Sequence, residues 1–151
     1  MAGEAHQQFI SFTIGAEEYG IDIMAIREIK GWAPTTPLPE VPEFIMGVID
    51  LRGAIVPIVD LRARFHHGRT DPTRTHVIIV VAAAGGQAGL LADAVVDIVD
   101  VAAEDIHPVP QLDTGGERAR FLTGLVTVAG RMVALLDLNT VIGEHARLAA
   151  A

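Results

Sequence analysis

Reactive chemistry in this chain would have to come from serine, histidine, carboxylate or arginine, because its 151 residues include no cysteine. Disulfide scaffolds, thiol nucleophiles and cysteine-held metals are therefore excluded. The single serine, Ser11, lies in an alternating apolar stretch without the glycine elbow that exposes a serine nucleophile. His66, His67 and His76 could act as metal ligands, or with aspartate as a weak hydrolase. Adjacent histidines diverge, however, and no carboxylate stands at a helpful spacing. Gly85-Gly86-x-x-Gly89 has the look of a phosphate cradle but no following lysine, and it joins two apolar runs, which suits a hairpin turn. Asp93, Asp97, Asp100, Glu104 and Asp105 could form an acid pair or a cation site. They lack the loop glycine of a calcium site and read as solvated strand edges and turns. Arg52, Arg62, Arg64, Arg69 and Arg74 stand against Asp60 and Asp71, a local net charge of +3 that could draw an anionic small ligand. None of these groups makes a catalytic set, so the chain reads as a non-enzyme whose task is binding, with no cofactor and no metal.

The composition narrows the kind of binding. Lysine and arginine number 11 against 19 acidic residues, a formal charge of −8, and Lys30 is the only lysine. Phosphate-backbone binding draws its affinity from many basic contacts, so nucleic acid is not the expected partner. Half of the residues are hydrophobic, yet the longest unbroken apolar run, Val77 to Ala84, is eight residues. A spanning helix needs about 20. The start, MAGEAHQQ, lacks the basic and apolar pattern of a secretory signal. A cytoplasmic protein without direct membrane insertion is expected, and about 150 residues bury enough surface to hold a core without staples.

The positions of these residues depend on short strands. Ile10, Phe12 and Ile14 alternate with Ser11 and Thr13, a turn follows over Gly15 to Glu18, and Tyr19, Ile21 and Ile23 resume the alternation, which predicts a hairpin. Four prolines between Pro34 and Pro42 remove backbone donors and predict an extended connection. Apolar runs at Phe44 to Leu51, Ala54 to Leu61, Val77 to Ala84, Leu90 to Val101 and Leu122 to Leu138 predict further strands. Helix is expected in the tail from Asn139 to Ala151, with Met24 to Lys30 and Ala102 to Ile106 as weaker candidates.

An internal repeat organises these runs. GVIDLRGAIVPIVDL (47 to 61) and GLVTVAGRMVALLDL (124 to 138) match at an offset of 77, with Gly47/Gly124, Gly53/Gly130, Val56/Val133, Asp60/Asp137 and Leu61/Leu138 identical. A weaker pair aligns YGIDIMAIREIKG with AGLLADAVVDIVDV through Gly20/Gly89, Ala25/Ala94 and Ile29/Ile98. Two similar small β-units, each marginal alone, are predicted to share one core. Gly53 and Gly130 are expected at hairpin tips that need positive φ, and Gly47 and Gly124 where a neighbour approaches closely. Pro57 suggests an edge or bulge in its strand. Arg52 faces Ala129 across the repeat, so only the first tip carries a cation.

In order and separation, YGIDIMAIREIKG, PEFIMGVIDLRGAIVPIVDLRARF and FLTGLVTVAGRMVALLDL resemble the chemotaxis coupling proteins of the CheW family, from about Phe9 to Arg147. The resemblance implies a mainly β fold of two SH3-like five-stranded barrels packed on a shared core, with a short C-terminal helix. It implies one domain over 9–148, in half-units of about 9–75 and 76–148, with tails at 1–8 and 149–151. It further implies a non-catalytic adaptor in membrane-associated receptor arrays, linking the cytoplasmic tip of methyl-accepting chemoreceptors to the regulatory domain of the histidine kinase CheA. The length resembles the stand-alone adaptor more than the kinase or a receiver fusion. A related adaptor of another receptor–kinase pathway, such as surface motility, and a small-ligand barrel are the alternatives.

Residue by residue, the resemblance sets Arg52 at the arginine of the family's LRG turn and Glu28 at the glutamate of its V-x-E-I segment, both associated with receptor and kinase coupling. Ile26 stands at an apolar contact position, and Gly47 and Ile98 at positions associated with receptor engagement. Asp50 departs from the asparagine that often precedes the turn. Chemistry leaves competing roles open: Ile26 and Ile98 as barrel core, Gly47 as a packing residue, and Glu28 with Arg52 as a surface ion pair.

Overall fold

The computed structural model describes residues 6–83, 86–110 and 120–143. Among the described residues ten strands follow one another: β1 (His6–Ile14), β2 (Glu17–Asp22), β3 (Ile26–Gly31), β4 (Ile45–Leu51), β5 (Ala54–Asp60), β6 (Val77–Ala83), β7 (Gly86–Ala92), β8 (Ala94–Ala102), β9 (Leu122–Val128) and β10 (Arg131–Leu136). One helix, α1 (Leu61–Arg64), follows β5, and a second occupies 138–143. The strands form two five-stranded sheets, ordered β8-β1-β2-β10-β9 and β3-β6-β7-β5-β4.

Each sheet curls into a barrel around its own apolar filling. Ile49, Leu51, Val56, Ile58, Ile78, Val80 and Leu91, all from the second sheet, form one buried cluster. Phe9, Val99, Val101, Val126, Val133 and Leu135, all from the first, form another. Residues on one face of a single sheet that pack on one another are those of a sheet bent round on itself. The larger third cluster lies between the barrels and takes Phe12, Tyr19 and Ile21 from one, Ile79, Val81 and Leu90 from the other, and Val141 and Ile142 from the terminal helix. Tyr19 stacks on Phe12 and Phe65, and Phe65 meets Phe121 at a tilt of 52°, in a continuous aromatic row. Period-two alternation explains β6, whose Ile78 and Val80 fill the barrel while Ile79 and Val81 face the shared core. Its unbroken apolar run is a strand buried on both faces.

The sheets do not divide the chain at its midpoint. The repeat equates β4-β5 with β9-β10 and β2 with β7, yet β2 pairs in parallel with β10 and β7 in parallel with β5. Each sheet thus combines strands from both halves, in the same order. The matched glycines sit in these crossings. A Cβ at Gly20 would come within 3.0 Å of the Leu135 side chain, and one at Gly89 within 2.6 Å of Ile58. Asp60 and Asp137 cap the two helices: Asp60 Oδ1 accepts the Arg62 N–H at 3.1 Å, and Asp137 Oδ1 accepts the Thr140 N–H at 3.4 Å.

Several local expectations change. Met24 to Lys30 is not a helix but a single 3₁₀ turn at Ile23–Ala25 followed by β3, because pairing with β6 overrides the helix propensity of the segment. Ala103–Asp105 is likewise one 3₁₀ turn. Pro57 is not on an edge strand, since β5 lies between β7 and β4. Its partner Val48 directs its N–H and C=O to Thr36, at 2.9 and 2.8 Å, so the Val48–Pro57 pair needs no donor from proline. Parallel pairing with β7 starts only at Ile58, and the bulge falls on β4 between Ile45 and Gly47. Gly85 and the tail beyond 143 lie outside the described residues, although the antiparallel register of β6 and β7, ending at Ala83 and Gly86, is that of a hairpin.

The interlaced sheets should unfold as one cooperative unit. Unfolding in denaturant followed by fluorescence of Trp32, which packs on the filling of the second barrel, should coincide with the loss of far-UV circular dichroism. Separate fragments 1–75 and 76–151 should each be unfolded and regain structure when mixed; a folded isolated fragment would contradict the interlacing.

Candidate functional site

The sharpest chemical difference between the barrels lies at the two matched hairpin tips. Arg52 and Gly53 have φ of 52° and 89°, and Ala129 and Gly130 have 51° and 82°. Two successive positive φ values are the signature of a two-residue type I′ loop, whose twist matches its strands. Asp50 Oδ1 accepts the Gly53 N–H at 2.8 Å and closes the first tip. Asparagine carries the same acceptor, so the departure at Asp50 keeps the hydrogen bond that closes the turn.

From this tip Arg52 Nη2 donates to Glu28 Oε1 on β3. The pair links β3 and the β4–β5 tip, which come from the two terminal strands of the second sheet, and so lies on the barrel's closing seam. Arg52's side chain is 73% exposed and Glu28's 27%. The hydrogen bond from Arg52, opposed by burial and reinforced by the charges of Arg52 and Lys30, holds the Glu28 carboxyl below the usual glutamate range. Arg52 is raised in turn by the same bond. The sequence-level alternative of an Arg52–Glu28 ion pair is therefore present in the fold, on an accessible surface.

The other candidates separate. Gly47, with φ of 139°, has no room for a side chain, because a Cβ would fall 2.3 Å from the Thr36 carbonyl oxygen of the proline-rich connection. Gly124 meets Ile106 and the His107 carbonyl in the same way. Ile26 is half-buried against the shared core. Ile98 is not core: it stands on β8 with 53% of its surface exposed. Its repeat equivalent Ile29 is also exposed, and so are Ile55 and Met132, which share the offset of 77. In sequence only the repeat marks these last two, because an apolar residue in a strand reads first as core.

The arginine island does not converge on an anion. Arg62 reaches Asp93 at 3.2 Å, Arg69 reaches Glu43 at 3.0 Å, and Arg64 donates to the carbonyls of Val141 and Thr140 at 2.7 and 2.9 Å. Arg64 also lies over the rings of Phe44 and Phe121, a matched pair in the repeat. The histidines are dispersed as well. His67 stands 3.7 Å from Glu17 and His76 3.4 Å from Asp93. Among the described residues no group of three histidine or acidic side chains could hold a metal ion, and no helix is long and apolar enough to cross a membrane.

The fold has its counterpart in known proteins. The model of the CheW-like domain matches residues 8–146. The chain belongs to the CheW-like family. It is 44% identical over 144 residues to the chemotaxis protein CheW of Rhizobium meliloti, covering 95% of this chain and 92% of the relative. To the probable chemotaxis protein CheW of Rhizobium etli it is 42% identical over 141 residues, 93% and 90% of the two chains. The crystal structure of the scaffolding protein TtCheW from Thermoanaerobacter tengcongensis superposes with a TM-score of 0.83 at 32% identity, over 92% of this chain and 89% of that one. The function that goes with membership is that of a chemotaxis adaptor.

Two measurements check the site. Carboxyl NMR should find Glu28 titrating below the ordinary glutamate value in the native chain and returning to it in Arg52→Ala. Because the folded value is the depressed one, the pair is complete at neutral pH and is lost as pH falls through that value. Gly47→Ala should lower stability by about 2–4 kcal/mol, since the clash is with backbone and φ is positive; an unchanged melting temperature would refute the close approach.

Proposed function

We propose that the chain couples chemoreceptors to the histidine kinase CheA by binding alone, catalysing no reaction. The observation that carries this reading is the unequal pair of matched tips: an exposed arginine held by Glu28 on one barrel, and Ala129 at its equivalent on the other. A connector of unlike partners needs two unlike surfaces on one rigid body, and the duplicated fold supplies them: Arg52 stands in its loop and pairs with Glu28 on an outer strand, whereas the second tip has Ala129 in the loop and Arg131 beyond it, paired with Glu18 on β2. Arg52 rises from a loop whose backbone is fixed, so little entropy is lost when its planar fork meets a carboxylate of a partner helix. Glu28 beside it offers the complementary charge. Ile26, Gly47 and Ile98 complete the receptor-facing set, Gly47 by letting the proline-rich connection lie against β4 and Ile98 by direct apolar contact.

On this reading the protein acts in the cytoplasm at membrane receptor arrays, with the receptor tip meeting Arg52, Glu28 and Ile98 and the kinase regulatory domain meeting the barrel surface elsewhere. Individual contacts of about 800 Å² per partner or less gain strength from the many receptors and kinases of an array. Arg52→Ala should keep the native melting temperature within a few degrees and weaken capture of the receptor tip about tenfold, as loss of a charged contact does. Receptor capture equal to that of the unaltered chain would remove Arg52 from the site.

A further inference from the structure

Asp93 is the single residue between β7 in one barrel and β8 in the other, and it gathers donors from three separate elements. Its N–H donates to the Thr13 carbonyl of β1 at 2.9 Å. Its carboxylate accepts the Gly15 N–H of the β1–β2 turn at 2.7 Å and Arg62 Nη2 at 3.2 Å. His76 Nε2 stands 3.4 Å from Oδ1. The Thr73 N–H donates to His76 Nδ1 at 3.0 Å, which leaves the ring proton of the neutral imidazole on Nε2, facing Asp93. One side chain thus ties the crossover to both barrels.

Beyond its ladder with β1, which pairs Ala94, Val95, Asp97 and Ile98, and a Ser11 Oγ hydrogen bond to the Asp97 carbonyl at 3.4 Å, the strand that follows has few anchors. Residues 94–98 are all exposed, whereas Val99 and Val101 are buried in the first barrel. The pairing of β8 with β1 skips Val96, a bulge opposite the Ser11–Phe12 step. The Ile98 N–H is taken by the neighbouring Asp97 carboxylate at 2.7 Å. A segment with no buried side chain and an interrupted ladder opens locally at low free energy unless its ends are held. The far end is held by Val99 and Val101, and the near end by Asp93.

From this arrangement we infer that Asp93 is a positioning residue, which fixes the exposed apolar stretch Val95–Ile98 for contact with a partner. The inference deepens the proposed function and rests on it for the identity of that partner, the chemoreceptor tip. A backbone N–H bound to a carboxylate is among the stronger hydrogen bonds, and its loss leaves that donor to solvent.

Site-resolved hydrogen exchange tests it on the native chain, Asp93→Asn and Asp93→Ala. In Asp93→Ala the amides of residues 94–98 should exchange about tenfold faster, with those of β6 unchanged. Asp93→Asn should lie between, because it keeps an acceptor for Gly15. Capture of a soluble receptor-tip fragment should fall in the same order. If Asp93→Ala fails to fold, Arg62→Gln removes one anchor only and should give a smaller acceleration at the same amides. Unchanged exchange at 94–98, or a uniform acceleration across all strands with a lowered melting temperature, would overturn the inference. Ile98→Asp tests the contact reading separately. Should Ile98→Asp leave capture intact, that reading falls while the exchange data still decide the role of Asp93; should Ile98→Asp abolish capture that Asp93→Ala preserves despite folding, Asp93 does not position the contact.

Discussion

Two parallel strand pairings, β2 with β10 and β5 with β7, are the constraint on which the rest of this structure depends. Each joins a strand from one half of the repeat to a strand from the other, so neither barrel closes without both halves. Parallel neighbours need long crossovers: between β5 and β7 the chain passes through α1 and β6, and between β2 and β10 it lays down every strand of the second sheet and then β8 and β9. The glycines at these crossings follow from it. At Gly89 a side chain would collide with Ile58 and Ile78, and at Gly20 it would press on Leu135 and Val133. Where two barrels exchange strands they also share a wall, and the shared core of Phe12, Tyr19, Phe65, Phe121 and their neighbours is that wall. Rigidity between the barrels is thus a result of topology reinforced by burial, with the polar contacts at the seam acting on single segments.

Such a body suits an adaptor. A connector transmits a partner's state only if its two contact surfaces keep a defined relation, and interlaced barrels provide that without a hinge. Duplication supplies matched surfaces, and substitution at a few exposed positions makes them different. Arg52 against Ala129 puts a cation in one loop, paired with Glu28, while the other tip carries its cation one residue beyond the loop, Arg131, paired with Glu18 of β2; the frame beneath them stays the same. The arginines nearby serve the frame: Arg64 pins the terminal helix to the seam, and Arg62 binds Asp93 at the crossover.

Much of the local structure was legible in the residues. Positive φ at Gly53 and Gly130 follows from a glycine between two apolar runs, and crowding at Gly47 and Gly124 from a glycine at a strand start. Other features were not. The segment Met24 to Lys30 has the composition of a helix and lies in a strand, because β6 offers it a ladder that no local signal announces. Pro57 sits safely inside a sheet because Thr36, more than twenty positions earlier, takes over the hydrogen bonds of its partner. Ile98 and Ile26 look alike in sequence, yet one faces solvent and the other leans on the core.

By itself the sequence determined the strand-rich class, the duplication, the turn geometry and the family, since these rest on near-neighbour periodicity and on the spacing of glycine, proline and charged residues. Tertiary structure alone decided which half each strand joins, which isoleucines are exposed, that Glu28 meets Arg52, and that Asp93 gathers Gly15, Arg62 and His76. Pairing partners and exposure depend on contacts between residues far apart in the chain, and the energy of those contacts is not carried by any short stretch of it.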